Sequence, residues 1–334
     1  MHKKTRRRLR ANFSAAASVL IAACVMSVAA SAQSWRPDKP VELIAASGAG
    51  GNTDKLARTI QRIMQEEKLV TVPVNVVNKT GGNQTIARTY LNQNPGDGHY
   101  MDLGNPTLIT NHIMGITPQQ PGDFSPIALL LDEYTVFSVR ADSPFRNGAE
   151  LMKRLAQQPD SLSIGLTTRG GANHVALALA AKAAGADVKR LKIVNFKSNG
   201  ESMTALLGGH IDAVASSASP AIPHLQQGKT RIVAISAPQR LAGALAQVPT
   251  LKEQQIEAVN SNWRLLVGPR GLQPAQRAYW EDVAARLTRT SAWKQELEAN
   301  AWEHHFIRGP QLREFLEAET KKNREVLTEI GLAK

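Results

Sequence analysis

Leu43 to Arg58, LIAASGAGGNTDKLAR, reads as a strand, a glycine-rich turn and the start of an amphipathic helix. Val41, Leu43 and Ile44 supply the strand. Leu56, Ala57, Ile60, Ile63 and Met64 recur at the spacing that gives a helix one apolar face. Between them Gly48, Gly50 and Gly51 allow positive φ and a close approach of the backbone, and Asn52 or Thr53 is the expected cap. Such a turn leaves N–H groups unpaired at the positive end of a helix dipole, a ready site for a carboxylate or phosphate. The nucleotide versions do not fit: no GKS or GKT follows these glycines, and the spacing of Gly48, Gly50 and Gly51 is not GxGxxG. Asp54 favours the helix start but repels a phosphate beside it, so a carboxylate held by backbone amides is the better match.

The same unit then recurs along the chain. A strand over 72–77 is followed by the turn Asn78-Lys79-Thr80-Gly81-Gly82 and a helix from Asn83 to about Asn92. After the turn Pro95-Gly96-Asp97-Gly98 come a strand over 100–103 and a helix opened by Gly104-Asn105-Pro106-Thr107. Strands over 127–131 and 134–139 follow, with a first crossing between lobes expected at Ala141-Asp142-Ser143-Pro144. A second series has a helix over 149–156, a strand over 161–166, the loop Thr167-Thr168-Arg169-Gly170-Gly171-Ala172-Asn173-His174 and an Ala-rich helix over 175–184. It continues with a strand over 191–196, Lys197-Ser198-Asn199-Gly200 before a helix over 201–207, and strands over 211–215 and 232–235. The chain returns near Asn262-Trp263 with a strand over 263–267, and helices over 274–288, 292–299 and 311–330 complete it. Repeated βα units imply α/β lobes on mainly parallel sheets, whose strand ends offer loops and helix N-termini on one edge. About 300 residues exceed what one small core usually holds, so two lobes with a ligand cleft between them are expected. The boundaries are 33–138 plus 263–334 for the first lobe and 139–262 for the second, with the ligand biasing an open and closed equilibrium.

Residues 1–32 have the layout of an export signal. Lys3, Lys4, Arg6, Arg7, Arg8 and Arg10 form the basic region, 13–29 an apolar region of small residues, and Ala30-Ser31-Ala32 an A-x-A cleavage site. Cleavage after Ala32 and a periplasmic mature chain from Gln33 are expected. Residues 5–9 also resemble a twin-arginine signal, and 21–24 a lipoprotein box that would leave Cys24 lipid-anchored. The following Ala-Ser-Ala site argues against the second. Losing six basic and no acidic residues takes the formal charge from +12 to +6, which removes the main support for nucleic-acid binding. The only cysteine leaves with the signal, so the mature chain has no disulfide and no cysteine metal site. The eight histidines make no ligand-like spacing, and His304-His305 reads as a strand or loop pair. No metal or cofactor is expected.

The motifs in register resemble one family, the periplasmic solute-binding receptors of tripartite tricarboxylate transporters, also called Bordetella uptake gene proteins. The likeness covers nearly all of the mature chain. It rests on Arg36-Pro37-Asp38-Lys39-Pro40, Gly50-Gly51-Asn52-Thr53-Asp54, Asn78-Lys79-Thr80-Gly81-Gly82 and Pro95-Gly96-Asp97-Gly98. The Gly171 to His174 loop, Lys197, Leu206-Leu207-Gly208-Gly209 and Val248-Pro249-Thr250 complete it. The resemblance implies a type II-like periplasmic binding protein that closes on a small organic acid, a di- or tricarboxylate or a relative, and delivers it to membrane permease subunits. It implies that the first two βα loops hold a carboxylate through backbone amides and ordered water. Here these are Ser47, Gly48, Ala49, Gly50, Gly51, Asn52, Thr53 and Asp54, with Thr80, Gly81, Gly82, Asn83, Gln84 and Thr85, joined by Asn105. Thr167, Thr168, Arg169, His174, Lys197, Ser216 and Ser217, with Ser198-Asn199, would shape selectivity from the second lobe.

The chain departs from the family pattern in places that bear on the ligand. Ala46-Ser47-Gly48-Ala49 replace an aromatic and prolines, and Asn83-Gln84 stand where more glycine is usual. Leu166 replaces a serine, and Ser216-Ser217 replace an Asp-Asn pair. A roomier, more polar pocket follows. Arg169, if turned inward, would pair a second carboxylate in bidentate fashion; the other reading is a solvated loop arginine. Trp263 reads equally as cleft wall or core. No GxSxG, catalytic cysteine or spaced carboxylate pair supplies a catalyst, so an enzyme is not expected. The mature chain reads as a monomer. A sensor that presents its closed state to a signalling partner uses the same closure and stays open as the alternative to transport.

Overall fold

The computed structural model describes residues 35–334. The expected export signal, Cys24 and the cleavage point after Ala32 lie outside the described residues. The first sheet takes strands β1 (Val41–Ala45), β2 (Val74–Asn78), β3 (Tyr100–Gly104) and β4 (Ser125–Asp132) from the first part of the chain. It takes β10 (Arg264–Gly268) and β11 (Glu303–Arg308) from the last part, and its order is β11-β4-β10-β3-β1-β2. The second sheet is built from β5 (Thr135–Arg140), β6 (Ser163–Leu166), β7 (Lys192–Asn195), β8 (Ala213–Ser217) and β9 (Thr230–Ile235), in the order β7-β6-β8-β5-β9. Each has a parallel half, β2-β1-β3 and β7-β6-β8, and an antiparallel half made by the strands next to the crossings.

Each parallel strand runs into a helix: α1 (Asn52–Glu66) after β1, α2 (Thr85–Asn92) after β2 and α3 (Thr107–Ile113) after β3. In the second sheet α4 (Gly148–Gln157) precedes β6, while α5 (Ala172–Ala183), α6 (Asn199–Leu207) and α7 (Ala218–Gln226) follow β6, β7 and β8. Helices α8 (Pro274–Leu287), α9 (Ser291–Asn300) and α10 (Gly309–Glu329) close the chain. Helix α1 forms because its apolar residues fall on one stripe: Leu56, Ala57, Ile60, Ile63 and Met64 are all buried. Full burial of a Leu, Ile or Met is worth about 1.5–3 kcal/mol each, enough to anchor the helix and hold its N-terminus at the end of β1.

The strand expected over 134–139 in the first lobe belongs to the second sheet. β5 pairs antiparallel with β8, Val136 opposite Ser216, and with β9, Val136 opposite Ile235. The first crossing is therefore the two-residue step Glu133-Tyr134, not residues 141–144. Both strands are buried on both faces, so no alternation in the sequence marks which sheet each joins. The returning crossing lies beside it: Tyr134 bridges Ser261, and the Asn262 amide donates to the Glu133 carbonyl at 2.7 Å.

Helix α5 is covered on both sides. Ala176, Leu177, Ala180 and Ala181 pack into the core under the second sheet with Phe137, Leu151 and Ile164. Val175 and Ala178 belong to the core that contains Trp263, Leu312 and Leu327. Its Ala-rich sequence suits a helix hemmed in this way, since small side chains let two layers approach it. Trp263 is fully buried, donates from Nε1 to Glu319 at 3.0 Å and meets Phe315 edge to face, so it is core and not cleft wall.

Candidate functional site

All six helix N-termini that follow parallel strands converge on one cavity of about 1100 Å³. From the first sheet come residues 46–53 between β1 and α1, Thr80, Gly81, Asn83 and Gln84 between β2 and α2, and Asn105 and Thr107 between β3 and α3. From the second come Thr167, Thr168 and 171–173 before α5, 197–200 before α6, and Ser217 and Pro220 at α7. Asn262 and Arg264 of the returning crossing complete the lining. Among the described residues no Asp, Glu or aromatic side chain lines it; seven carboxamides do, with two cations, Lys197 and Arg264. Ligands of α/β sheets bind at this edge because the backbone donors and helix dipoles point there.

In the first loop, Asp54 is turned inward. Its carboxylate accepts from the Gly50 amide (2.9 Å), Asn78 Nδ2 (2.8 Å) and Arg58 Nε (3.0 Å), and burial works against these bonds, which hold its pKa below the usual carboxylate value. The expected side-chain cap from Asn52 or Thr53 is absent: Gly51 holds the cap position, and Ser47 Oγ accepts the Asp54 amide at 3.1 Å. Gly50 has φ +77°, and a Cβ on Gly51 would lie 2.9 Å from Ser47 Oγ, so the turn needs both glycines. Among the described residues no protein acceptor bonds the amides of Gly48, Ala49, Asn52 and Thr53. These four amides are left without a protein acceptor at the cavity edge.

The second loop winds left-handed. Gly81, Gly82, Asn83 and Gln84 all have positive φ, at 106°, 56°, 53° and 74°. Glycine adopts this freely; Asn and Gln do so at a cost of about 1 kcal/mol or more each, and tertiary bonds must hold them. They do: Asn83 Nδ2 donates to Asn111 Oδ1 (2.5 Å) and Asn111 Nδ2 to the Asn83 carbonyl (2.7 Å). Gln84 Oε1 accepts from Asn105 Nδ2 (2.9 Å) and from the Thr107 hydroxyl (2.9 Å). The two positions where the sequence departs from glycine are thus left-handed positions braced from α3.

At the crossings, Arg264 and Glu133 form a buried ion pair at 2.6 Å, their side chains 5% and 1% exposed. Glu133 also accepts from Asn262 Nδ2 at 3.2 Å and, at 3.4 Å, from Asn52 Nδ2 of the anion loop. A second cluster, Ser261, Asp132 and His305, lies at the same level outside the cavity lining: the Ser261 hydroxyl donates to Asp132 Oδ1, and His305 Nδ1 lies 2.7 Å from Asp132 Oδ2. The carboxylate sits between hydroxyl and imidazole, so the serine has no base of its own.

Of the residues singled out from the sequence, Ser47, Gly48, Ala49, Gly50, Gly51, Asn52 and Thr53 line the cavity with Thr80, Gly81, Asn83, Gln84, Asn105, Thr167, Thr168, Lys197 and Ser217. Asp54, Gly82, Thr85, Arg169, His174 and Ser216 do not. Asp54 is consumed by its loop, and Thr85 Oγ1 bonds back to the Gly82 carbonyl at 2.7 Å. Ser216 is fully buried within β8, and Arg169 is exposed. Ala46, Thr107, Gly171, Ala172, Asn173, Gly200, Pro220, Asn262 and Arg264 line the cavity and were not singled out. Thr107 and Asn262 carried a signal as loop residues beside predicted elements; Arg264, inside a predicted strand, carried none.

His174 is buried, with Nδ1 accepting the Gly170 amide at 3.0 Å. Burial, helped by the charge of Arg169, brings its pKa from 6.5 down to about 4. An unfolded chain takes up a proton below pH 6.5 that the native imidazole refuses until about pH 4, so stability falls on acidification across that window, by about 3 kcal/mol from this group. His174→Gln keeps the acceptor without the titration. Its melting temperature is expected to drop less than the wild type's between pH 6.5 and 4; equal drops would show that other groups carry the acid sensitivity.

The sequence profile of the tripartite tricarboxylate transporter family receptor matches residues 56–332. A Cupriavidus necator UPF0065 protein, named for the gbd 5' region, is 27% identical over 321 residues, 96% of each chain. Among solved structures, MatC from Rhodopseudomonas palustris with bound malate has a TM-score of 0.75 at 23% identity, covering 87% of this chain and 99% of its own. An R. palustris protein with adipate has a TM-score of 0.79 at 23% identity, with 89% and 99% covered.

Proposed function

The chain belongs to the tripartite tricarboxylate transporter receptor family, and from that premise we propose that it captures a small organic acid between two lobes and hands it to membrane permease subunits. The ligand is a di- or tricarboxylate or a related acid, and the protein works in the periplasm as a monomer without catalysing a reaction. The first lobe is 37–132 with 262–334 and the second 135–235 with the segment that returns from it; the hinge is the paired crossing at Glu133 and Asn262. The observation that carries this reading is the cavity wall: unpaired amides at Gly48, Ala49, Asn52 and Thr53 and the Lys197 cation, with Arg264 balanced by Glu133 and no acidic side chain among the lining residues. That wall favours an anion over a cation or a neutral apolar compound. Malate and adipate, the acids bound by the two R. palustris proteins, support the ligand class.

A thermal-shift screen of residues 33–334 against mono-, di- and tricarboxylates, amino acids and aromatic acids tests it, because a ligand that binds only the native state raises the melting temperature. A concentration-dependent shift confined to carboxylates is expected. A shift with non-acidic compounds alone would end the carboxylate assignment. Gly48→Phe is the matched control. A Cβ there meets only Thr80 Cγ2, at 3.9 Å, so the ring grows into open space without straining the turn. The variant is expected to melt with the wild type and to bind the identified acid about a hundredfold more weakly; unchanged affinity would place the ligand elsewhere.

A further inference from the structure

Behind the first-lobe wall lie two buried ionisable groups that ligand capture, as described so far, does not use. Arg88 on α2 and Asp102 on β3 are 2% and 0% exposed. Burial lowers the Arg88 pKa to about 10 and raises that of Asp102 to about 6, so the guanidinium stays charged at neutral pH. Arg88 Nη2 donates to Thr107 Oγ1 at 2.6 Å and to Gln84 Oε1 at 3.3 Å. Its Nε and Nη1 make no side-chain hydrogen bond, nor do the Asp102 oxygens. The cation therefore bears on one place, the underside of Gln84 and Thr107, both of which line the cavity.

Two obligate donors fix the polarity of this network. A guanidinium has no acceptor, and neither has a backbone N–H. The Thr107 amide donates to Asn105 Oδ1 at 3.0 Å, which leaves Asn105 Nδ2 to face Gln84 Oε1 at 2.9 Å. Arg88 points at the same oxygen from below. Turning the Gln84 carboxamide over would set its NH₂ against both Arg88 and Asn105 Nδ2, leaving buried donors unsatisfied. Gln84 Oε1 is thus held inward, and among the described residues no protein acceptor bonds its Nε2.

We infer that Arg88 is a positioning residue: with the Thr107 amide it holds Gln84 so that Nε2 is presented to the cavity, making this point of the wall a donor and selecting there a carboxylate over its neutral carboxamide isostere. Selection against the isostere follows because a carboxamide sets its own NH₂ against these donors as readily as its oxygen, whereas a carboxylate offers acceptors alone. The ligand class rests on the receptor reading above; the orientation of Gln84 does not.

Acetate and acetamide, the smallest such pair, test this on ¹⁵N-labelled protein by following the Gln84 side-chain NH₂ resonances. In the wild type acetate is expected to shift them at about one tenth or less of the acetamide concentration. Gln84→Glu turns an acceptor toward the cavity while giving Arg88 a carboxylate partner. Followed through the backbone amides of Gly81 and Asn83, which remain in this variant, it is expected to weaken acetate about ten- to a hundredfold and to raise the melting temperature, a split that a purely structural role does not produce. Arg88→Lys, still a buried donor-only cation, is expected to keep the acetate preference, and Arg88→Met to lose it. Equal response to acetate and acetamide, no response of the Gln84 amide to acetate, or full acetate binding by Gln84→Glu would each overturn the inference. A chain that takes a non-acidic ligand in the screen yet prefers acetate here would refute the receptor's ligand class and leave the Gln84 orientation standing.

Discussion

Glu133→Ala is expected to cost about 3–5 kcal/mol of stability, because it leaves the Arg264 guanidinium buried without its counter-charge. For a chain of this size that corresponds to about 6–15 °C in melting temperature. The magnitude follows from burial. With Arg264 and Glu133 side chains 5% and 1% exposed, water cannot replace the lost partner as it does at the surface. Arg286–Asp282, an i,i+4 pair with both side chains more than 40% exposed, is the internal contrast, and Asp282→Ala is expected to move the melting temperature by less than about 2 °C. The double variant Glu133→Ala/Arg264→Met removes both charges and is expected to recover most of the loss. Differential scanning calorimetry decides between the readings: if Glu133→Ala melts within about 2 °C of the wild type, the pair is not a buried strut between the crossings. The same glutamate accepts from Asn52 of the anion loop and from Asn262 of the returning crossing. The variant is therefore also expected to weaken carboxylate binding, by loosening the loop that carries the free Asn52 and Thr53 amides.

Gly170→Val is the second large effect, expected at about 2–5 kcal/mol. Gly170 has φ +73°, a conformation that costs a β-branched residue about 1–2 kcal/mol, and a Cβ there would lie 2.5 Å from Met114 Cε as well as against Met114 Sδ. Met114 is itself buried, in the core that also contains Leu327 of α10, so it has little room to yield; overpacking of that kind adds about 1–3 kcal/mol. The two contributions separate experimentally. Met114→Ala/Gly170→Ala relieves the steric clash but not the backbone strain, so the pair is expected to be less destabilised than the sum of its singles, with the φ cost remaining. Strict additivity would show that Gly170 and Met114 do not touch. The loop around Gly170 belongs to the second-sheet series and Met114 to the first, so this contact, like the packing of α5 on α10, lies between the two series.

The βα units were legible because each depends on local pattern: the alternation or apolar run of a strand, glycine at the turn, and the 3–4 spacing of Leu56, Ile60 and Ile63. For the same reason the loops of the cavity were legible as loops, since a parallel strand followed by a helix places its connection on one edge. The membership of β5 was not, because Thr135–Arg140 and Ser125–Asp132 are both buried along nearly their whole length, and a strand buried on both faces carries no mark of which sheet it enters. The edge strand Glu303–Arg308 was missed as a paired element; its residues are polar or half-exposed, so only its ladder with β4 defines it.

At the site the division is similar. Ser47 to Thr53 were readable from glycine chemistry alone as a loop that turns its backbone to the cavity. Asp54 was misplaced because a carboxylate beside a helix start looks the same in sequence whether it faces a ligand or, as here, accepts from its own loop. Arg264 and Arg88 were invisible: an arginine in an apolar strand or helix is ordinarily a surface charge, and only burial beside Glu133 or beneath Gln84 gives either one a role. By itself, then, the sequence determined the βα series, the family and the backbone character of the anion loop, because these rest on interactions within a few residues along the chain. Only the tertiary structure decided which strand crosses where, which way Gln84 presents its amide, and which charges are buried. Those depend on groups up to 131 positions apart, as Glu133 and Arg264 are, meeting where water is excluded.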